Sequence, residues 1–180
     1  GRIDDENLQK EIDRDFMTIP RKGWMSLGGW DVEERRRALD FLGFDCQLVF
    51  PTGSFEQIMV TPTSVRVEAV RAMNRGMIDF CQDARLLATA YVPFEFGPAI
   101  ALQLIAEAVT NKVSAVLIDS IPASHQHSFT HPDFDVVWEA LQESNLAVFL
   151  HVGADQNYRP VPKAFFDNGR DMRHFRSDAP

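Results

Sequence analysis

Short apolar runs alternate along this chain with longer segments in which apolar residues recur at helical spacing. Four runs have the length and composition of buried strands, and they lie near residues 45–50, 86–92, 114–119 and 146–151. The segments with helical spacing cover residues 32–42, 63–81 and 98–109 and begin again at about residue 133. Because strands alternate with helices rather than with tight turns, the pattern predicts an α/β fold with a parallel sheet.

The apolar run Leu146–Gly153 ends on a histidine, a valine and a glycine. Such a run is typical of a strand that is buried on both faces, as in parallel sheets, and it places His151 at the carboxyl end of that strand. Ligands and catalytic groups collect at this end in α/β folds, because the loops there vary without disturbing the core. An isolated histidine is more often a core residue satisfied by its neighbours, and the strand-end position narrows that preference for His151 without reversing it.

The helix at 32–42 has residues that favour its start and its end. Asp31 is predicted to cap the first turn, and Gly43 is predicted to end the helix. The basic run Arg35–Arg37 predicts a solvated outer face. The apolar side is predicted to face the core and consists of Ala38, Leu39 and Leu42.

Right-handed crossovers bring the carboxyl ends of parallel strands to one edge of the sheet, so the loops that follow them are predicted to surround one site. These loops are Thr52–Pro62, Phe94–Gly97, Ile121–His131 and the residues from Ala154 onward. The whole chain is predicted to form a single partial domain. It divides into a loop-rich segment at 1–29, the βα repeats at 30–153 and a loop or tail at 154–180.

Composition and charge exclude several classes of protein. Of the 180 residues 45% are hydrophobic, which rules out a wholly disordered chain, and the net charge of −8 disfavours a nucleic-acid partner. No apolar run is long enough for a membrane span. The two cysteines form no CxxC motif, so neither a disulfide framework nor a zinc knuckle is indicated, and a reducing cytoplasm is expected. A small-molecule substrate is the expected partner, and a homo-oligomer is left open.

Motif searches leave few candidates for chemistry. The sequence has no Gly-x-Ser-x-Gly elbow, no Gly-x-Gly-x-x-Gly loop and no phosphate-loop lysine. His125 and His127 have the spacing of a metal-binding pair, but a substrate-facing loop is the preferred interpretation because carboxylates are sparse around them. Asp119 ends the third strand run. A functional role, as a base or a ligand, and a simple turn residue are equal interpretations of it.

The stretches Arg37–Asp45, Arg85–Pro93 and Asp133–Gly153 follow one another along the chain. Together they resemble the second amidohydrolase family, whose members are metal-dependent TIM-barrel hydrolases and decarboxylases such as aminocarboxymuconate semialdehyde decarboxylase. Arg37–Asp45 resembles the helix and glycine before the second barrel strand, and Arg85–Pro93 resembles the third strand. The most specific stretch runs from Asp133 to Gly153 and resembles the helix, the fifth strand and its metal-binding histidine. The likeness extends in the right order from Trp30 to Gly153.

The resemblance implies a TIM-type barrel of which about half is present in these residues. It implies that His151 binds a divalent metal, typically zinc, and that the protein is a hydrolase or decarboxylase acting on a small carboxylated or cyclic organic substrate. The family's first-strand His-x-His pair has no counterpart before Trp30, and its later ligands would lie beyond Pro180. The expectation is therefore an excerpt of a longer chain, with a degenerate half-barrel or a non-catalytic α/β interaction domain as the alternatives.

Overall fold

The computed structural model describes residues 6–7, 10, 27–119 and 129–151, except for the side chains of Glu56 and Asp119. Its helices are α1 Val32–Leu42, α2 Thr52–Val60, α3 Thr63–Phe80, α4 Pro98–Thr110 and α5 Asp135–Ser144, with a 3-10 helix at Pro132–Phe134. Its strands are β1 Gln47–Val49, β2 Leu86–Tyr91, β3 Ala115–Asp119 and β4 Ala147–His151. In the predicted loop-rich segment at 1–29, Glu6, Asn7 and Lys10 are helical. The predicted tail at 154–180 lies outside the described residues.

The four strands form one parallel sheet in the order β1-β2-β3-β4. The register pairs Gln47 with Leu86, Thr89 with Ala115 and Asp119 with His151. Each pair of neighbouring strands is joined through at least one helix, because parallel strands need a crossover connection. The predicted α/β fold with a parallel sheet is confirmed. All four predicted strands are present, and none of their ends differs from the prediction by more than two residues.

Contacts divide the chain into two compact units, the first comprising Gly1–Phe50 and Gly76–Ala88 and the second Pro51–Arg75 and Thr89–Pro180. The core of the first unit contains Leu39, Val49, Met77 and Leu86.

Both predicted ends of α1 are confirmed. The Asp31 carboxylate accepts a hydrogen bond of 2.9 Å from the backbone N–H of Glu34, and Gly43 adopts the left-handed conformation with φ 70°. Ala38 and Leu39 are buried as predicted, but Leu42 is exposed, so its predicted core position is wrong. Leu42 occupies the last position of α1. Helical spacing places Leu42 on the same side as Leu39, but it does not reveal that the helix leaves the core before its last residue.

Arg35 is not on a solvated face, so this part of the prediction is wrong. Its guanidinium is partly buried and donates hydrogen bonds to the carbonyl of Gly28 at 3.1 Å and to Oε1 of Gln47 at 3.2 Å. The chain comes so close that a Cβ on Gly28 would lie 2.1 Å from the Arg35 backbone nitrogen. Gly28 also has a φ of 71°, and both observations explain why glycine is required there. Arg36 and Arg37 are exposed, as predicted.

In the second unit, β3 is buried between neighbours while β4 is not. Residues 115–118 of β3 are all buried. By contrast, Val148 and Phe149 are each 38% exposed and Leu150 is 53% exposed. The prediction that this strand is buried on both faces is therefore wrong. The reason is position. Strand β4 is one of the two edge strands of the described sheet and pairs only with β3 there, and an apolar run looks the same at an edge and at the centre.

The predicted loop Thr52–Pro62 is also wrong, because residues 52–60 form helix α2. This helix begins directly after Pro51, and it buries Phe55 and Ile58, which are three positions apart. Gly53 is a poor helix former, and nine residues are too few for periodicity to show clearly. The local helix propensity of residues 52–60 is low. Burial of Phe55 and Ile58 stabilises the helix nevertheless.

A side-chain amide holds the end of β2. The Asn74 side chain donates a hydrogen bond of 3.0 Å to the carbonyl of Tyr91 and accepts one of 2.8 Å from its backbone N–H. One residue of α3 thus supplies the donor and the acceptor that a neighbouring strand would otherwise provide. Tyr91 is 1% exposed, so the two bonds satisfy the backbone of a buried residue, while Asn74 itself is partly buried.

We expect Asn74→Ala to lower the free energy of unfolding by about 2 to 4 kcal/mol, because it removes two hydrogen bonds from buried backbone groups. Gln82→Ala is the matched control, since the Gln82 amide makes one exposed hydrogen bond to the carbonyl of Ile78. The control should lose less than about 0.5 kcal/mol. Urea unfolding followed by circular dichroism measures both changes, and equal losses would contradict the anchoring role of Asn74.

A buried ion pair ties the loop after β2 to the start of α3. Nη1 of Arg66 lies 3.0 and 2.9 Å from the two carboxylate oxygens of Glu95, and the two side chains are only 13% and 7% exposed. Nε of the same arginine donates to the carbonyl of Thr61 at 3.0 Å. The carboxylate is thus paired with a charge that is itself hydrogen-bonded, which is the arrangement that makes burial of charges tolerable.

We expect Glu95→Ala to destabilise the fold by about 3 to 5 kcal/mol, because it leaves the Arg66 charge buried without its partner. The double variant Arg66→Met/Glu95→Leu should regain most of this loss, because it removes both charges. Glu68→Ala is the control, since Glu68 pairs with Arg71 at an exposed position and should cost less than about 1 kcal/mol. Chemical denaturation of the four proteins separates these outcomes.

Candidate functional site

The carboxyl ends of β3 and β4 bring two predicted site residues side by side in the second unit. Asp119 is the last residue of β3, His151 is the last residue of β4, and the parallel register pairs them with each other. The prediction that His151 ends a strand is confirmed. Neighbouring positions in a parallel ladder place both residues at the edge of the sheet where α/β proteins bind ligands.

The His151 imidazole is partly buried and lies against one aromatic ring. The ring centroids of His151 and Phe55 are 5.2 Å apart and their planes meet at 33°. Nδ1 of His151 is buried and has no hydrogen-bond partner among the residues that the structure describes. A buried ring nitrogen without a partner is uncommon because its desolvation is uncompensated, and a bound ligand or metal would satisfy it.

Phe55 is itself held in place by a second ring. Its centroid lies 4.7 Å from that of Tyr91, with the planes at 75°, which is the edge-to-face geometry that aromatic pairs prefer. The Tyr91 hydroxyl lies 3.9 Å from the sulfur of Met59, also on α2. Sequence reasoning missed Phe55 because it was assigned to a loop. The spacing of Phe55 and Ile58 was the pattern that could have found it.

The predicted rim loop Phe94–Gly97 is packed against an aromatic cluster. Phe94 stacks on Phe134 with centroids 4.9 Å apart and planes at 9°, and its edge contacts Trp138. The indole N–H of Trp138 donates to the carbonyl of Phe129 at 2.8 Å. Together with the ion pair of Glu95, these contacts fix the loop from both of its sides.

Of the histidines in the predicted loop Ile121–His131, the structure describes His131. His125 and His127 lie outside the described residues. His131, at the end of the same loop, caps the 3-10 helix, because its Nδ1 accepts a hydrogen bond of 3.2 Å from the backbone N–H of Asp133. For Asp119 the structure gives the backbone position alone.

The donor set at the strand ends fits part of a metal site. Imidazole nitrogen and carboxylate oxygen are both ordinary ligands of zinc, and His151 and Asp119 are of these types. Within 27–119 and 129–151, no group of three or more histidine, cysteine, aspartate or glutamate residues is placed to hold a metal ion. A complete metal site at His151 would therefore need side chains that the structure does not describe.

No protein-family model and no curated protein matches this chain. The resemblance to the amidohydrolase family therefore stays a prediction. None of the helices in the described part of the chain is long and apolar enough to cross a membrane.

Cys81 is unsuited to act as a nucleophile. Burial raises the pKa of its thiol to about 11, although the positive charge of Arg35 opposes the shift. The thiolate is the reactive form, so at neutral pH this side chain is almost wholly in its unreactive form. Both Cys46 and Cys81 are free thiols, and Cys46 is exposed.

We expect iodoacetamide at pH 8 to alkylate Cys46 at least tenfold faster than Cys81. A thiol with a pKa of about 11 is only about 0.1% ionised at that pH, and its partial burial slows access further. Peptide mass spectrometry of timed samples gives the two rates. In urea the rates should converge, and the variant Cys46→Ser should leave only the slow reaction. Equal rates in the folded protein would contradict the expected protection.

Proposed function

We propose that this protein is a metal-dependent hydrolase or decarboxylase of the amidohydrolase superfamily, and that His151 binds its divalent metal, which is zinc. The observation that carries the proposal is the buried Nδ1 of His151, which has no partner among the described residues and lies at the carboxyl end of a parallel strand. A neutral imidazole in this state has a lone pair available for a metal.

The topology supports a TIM-type barrel as the parent fold. Four parallel strands follow one another in the sheet in the same order as in the chain. Doubly wound sheets reverse their strand order at a switch point, whereas a (β/α) barrel adds each strand beside the previous one. In such a barrel the active site lies at the carboxyl ends of the strands, which is where His151 and Asp119 are found.

The chain's own residues would act as follows. His151 would bind as neutral imidazole, and we propose that Asp119, the residue paired with it at the neighbouring strand end, serves as a second ligand or as a general base. The metal, when bound, would polarise a substrate oxygen or activate water. The substrate class that we propose is a small carboxylated or cyclic organic molecule, and the proposed compartment is the cytoplasm. The choice between hydrolysis and decarboxylation stays open.

We expect His151→Ala to lower zinc affinity and catalytic turnover together. The loss should exceed the 10- to 100-fold that removing a hydrogen-bond partner of a ligand costs, because a ligand itself is removed. His131→Ala is the matched control, since it makes the same chemical change at a helix cap. Zinc titration and metal analysis, with turnover on a panel of lactones, amides and aromatic acids, are measured on the same preparations.

A non-catalytic interaction domain is the second candidate, and the exposed apolar residues of β4 favour it. It would be supported if the purified protein binds no zinc and turns over no substrate in the panel. A His151→Ala variant that keeps the full metal content and loses only thermal stability would make His151 a packing residue. That result would overturn the proposed role.

A further inference from the structure

The orientation of the His151 ring needs a physical cause. A hydrogen bond from a ring nitrogen to a carboxylate, carbonyl or water commonly fixes the plane of an imidazole. For Nδ1 of His151 the described residues offer no such bond. Among the described residues, the His151 ring packs against the ring of Phe55, with 5.2 Å between the two centroids.

Phe55 is well suited to hold another ring still. It is 4% exposed, and its backbone N–H donates a hydrogen bond of 2.7 Å to the carbonyl of Pro51 at the start of α2. Its ring meets the buried ring of Tyr91 edge to face. The Asn74 amide in turn forms hydrogen bonds with both the N–H and the carbonyl of Tyr91. The imidazole therefore rests on a surface with little freedom to move.

We infer that Phe55 is a positioning residue for His151, and that its buried ring sets the plane in which the imidazole presents its nitrogens. As a role in metal binding, this inference rests on the proposed function. An imidazole turns about its terminal side-chain torsion over a broad range of angles unless neighbours restrict it. A ring that is already held loses less freedom when it binds, and this raises its affinity for a ligand.

Phe55→Leu tests the inference, and Phe134→Leu is the matched control. Both residues are phenylalanines with 4% exposure in the second unit, and the stacking partner of Phe134 is Phe94. The two substitutions therefore make the same change in size at equally buried positions. In the described ring contacts, Phe55 packs against His151 and Phe134 packs against Phe94. Phe55→Met serves as a second ringless variant if Phe55→Leu does not fold.

The first measurement is proton NMR of the full chain without added metal. The five histidines give few ring signals, and comparison with His151→Ala assigns those of His151. In the unsubstituted protein these signals should carry a ring-current shift from Phe55. Phe55→Leu should remove that shift, and Phe134→Leu should preserve it. If Phe55→Leu leaves the His151 signals unchanged, the inference is overturned.

The second measurement is zinc titration of the same proteins. We expect Phe55→Leu to weaken zinc binding about tenfold and Phe134→Leu to change it less than twofold. A loss that is equal in both variants would show a general effect of core packing and would overturn the role in metal binding. If the unsubstituted protein binds no zinc through His151, the proposed function fails. In that case the NMR comparison by itself decides whether Phe55 orients the ring.

Discussion

Two hydrogen bonds between the Asn74 side chain and the backbone of Tyr91 are the constraint on which the candidate site depends. Strand β2 has registered partners in β1 only as far as Ala88, so the backbone beyond that residue needs another source of donors and acceptors. The primary amide of asparagine supplies both from one side chain. Tyr91 can therefore stay buried and extended past the end of the β1 ladder.

Tyr91 is connected to His151 through packed aromatic rings. The Asn74 amide bonds both backbone groups of Tyr91, and the Tyr91 ring supports Phe55, which lies against the imidazole. Each contact is worth only about 1 kcal/mol by itself. Their main effect is on orientation. Each ring restricts the angles that the next ring can adopt, from Tyr91 in the core to His151 at the edge of the sheet.

The loop that follows β2 is fixed by different physics. Glu95 is held by a buried guanidinium, and Phe94 is held by stacking on Phe134. The charge pair requires a defined geometry, because an unpaired charge at that depth is expensive, and the stacked rings exclude water. The rim beside Tyr91 is thus specified by polar and apolar contacts together. A rigid rim of this kind suits a site that must hold its groups in place before a ligand arrives.

The sequence by itself determined the order and type of most elements and the position of His151 at a strand end. Caps and periodicity are local properties of the chain, and the roles of Asp31 and Gly43 in α1 follow from them. Tertiary structure decided what is exposed. The apolar run of β4 was predicted to be buried but lies at an edge, and Arg35 was predicted to be solvated but bonds to Gly28 and Gln47.

Two residues of the candidate site, His151 and Asp119, could be predicted from local sequence pattern. His151 and Asp119 end apolar runs, so their place at the edge of the sheet could be predicted, and the register then made them partners. Phe55 could not be recognised, since its role arises from a contact with a residue almost one hundred positions away. Which ring nitrogen lacks a partner likewise depends on neighbours that only the folded chain brings together.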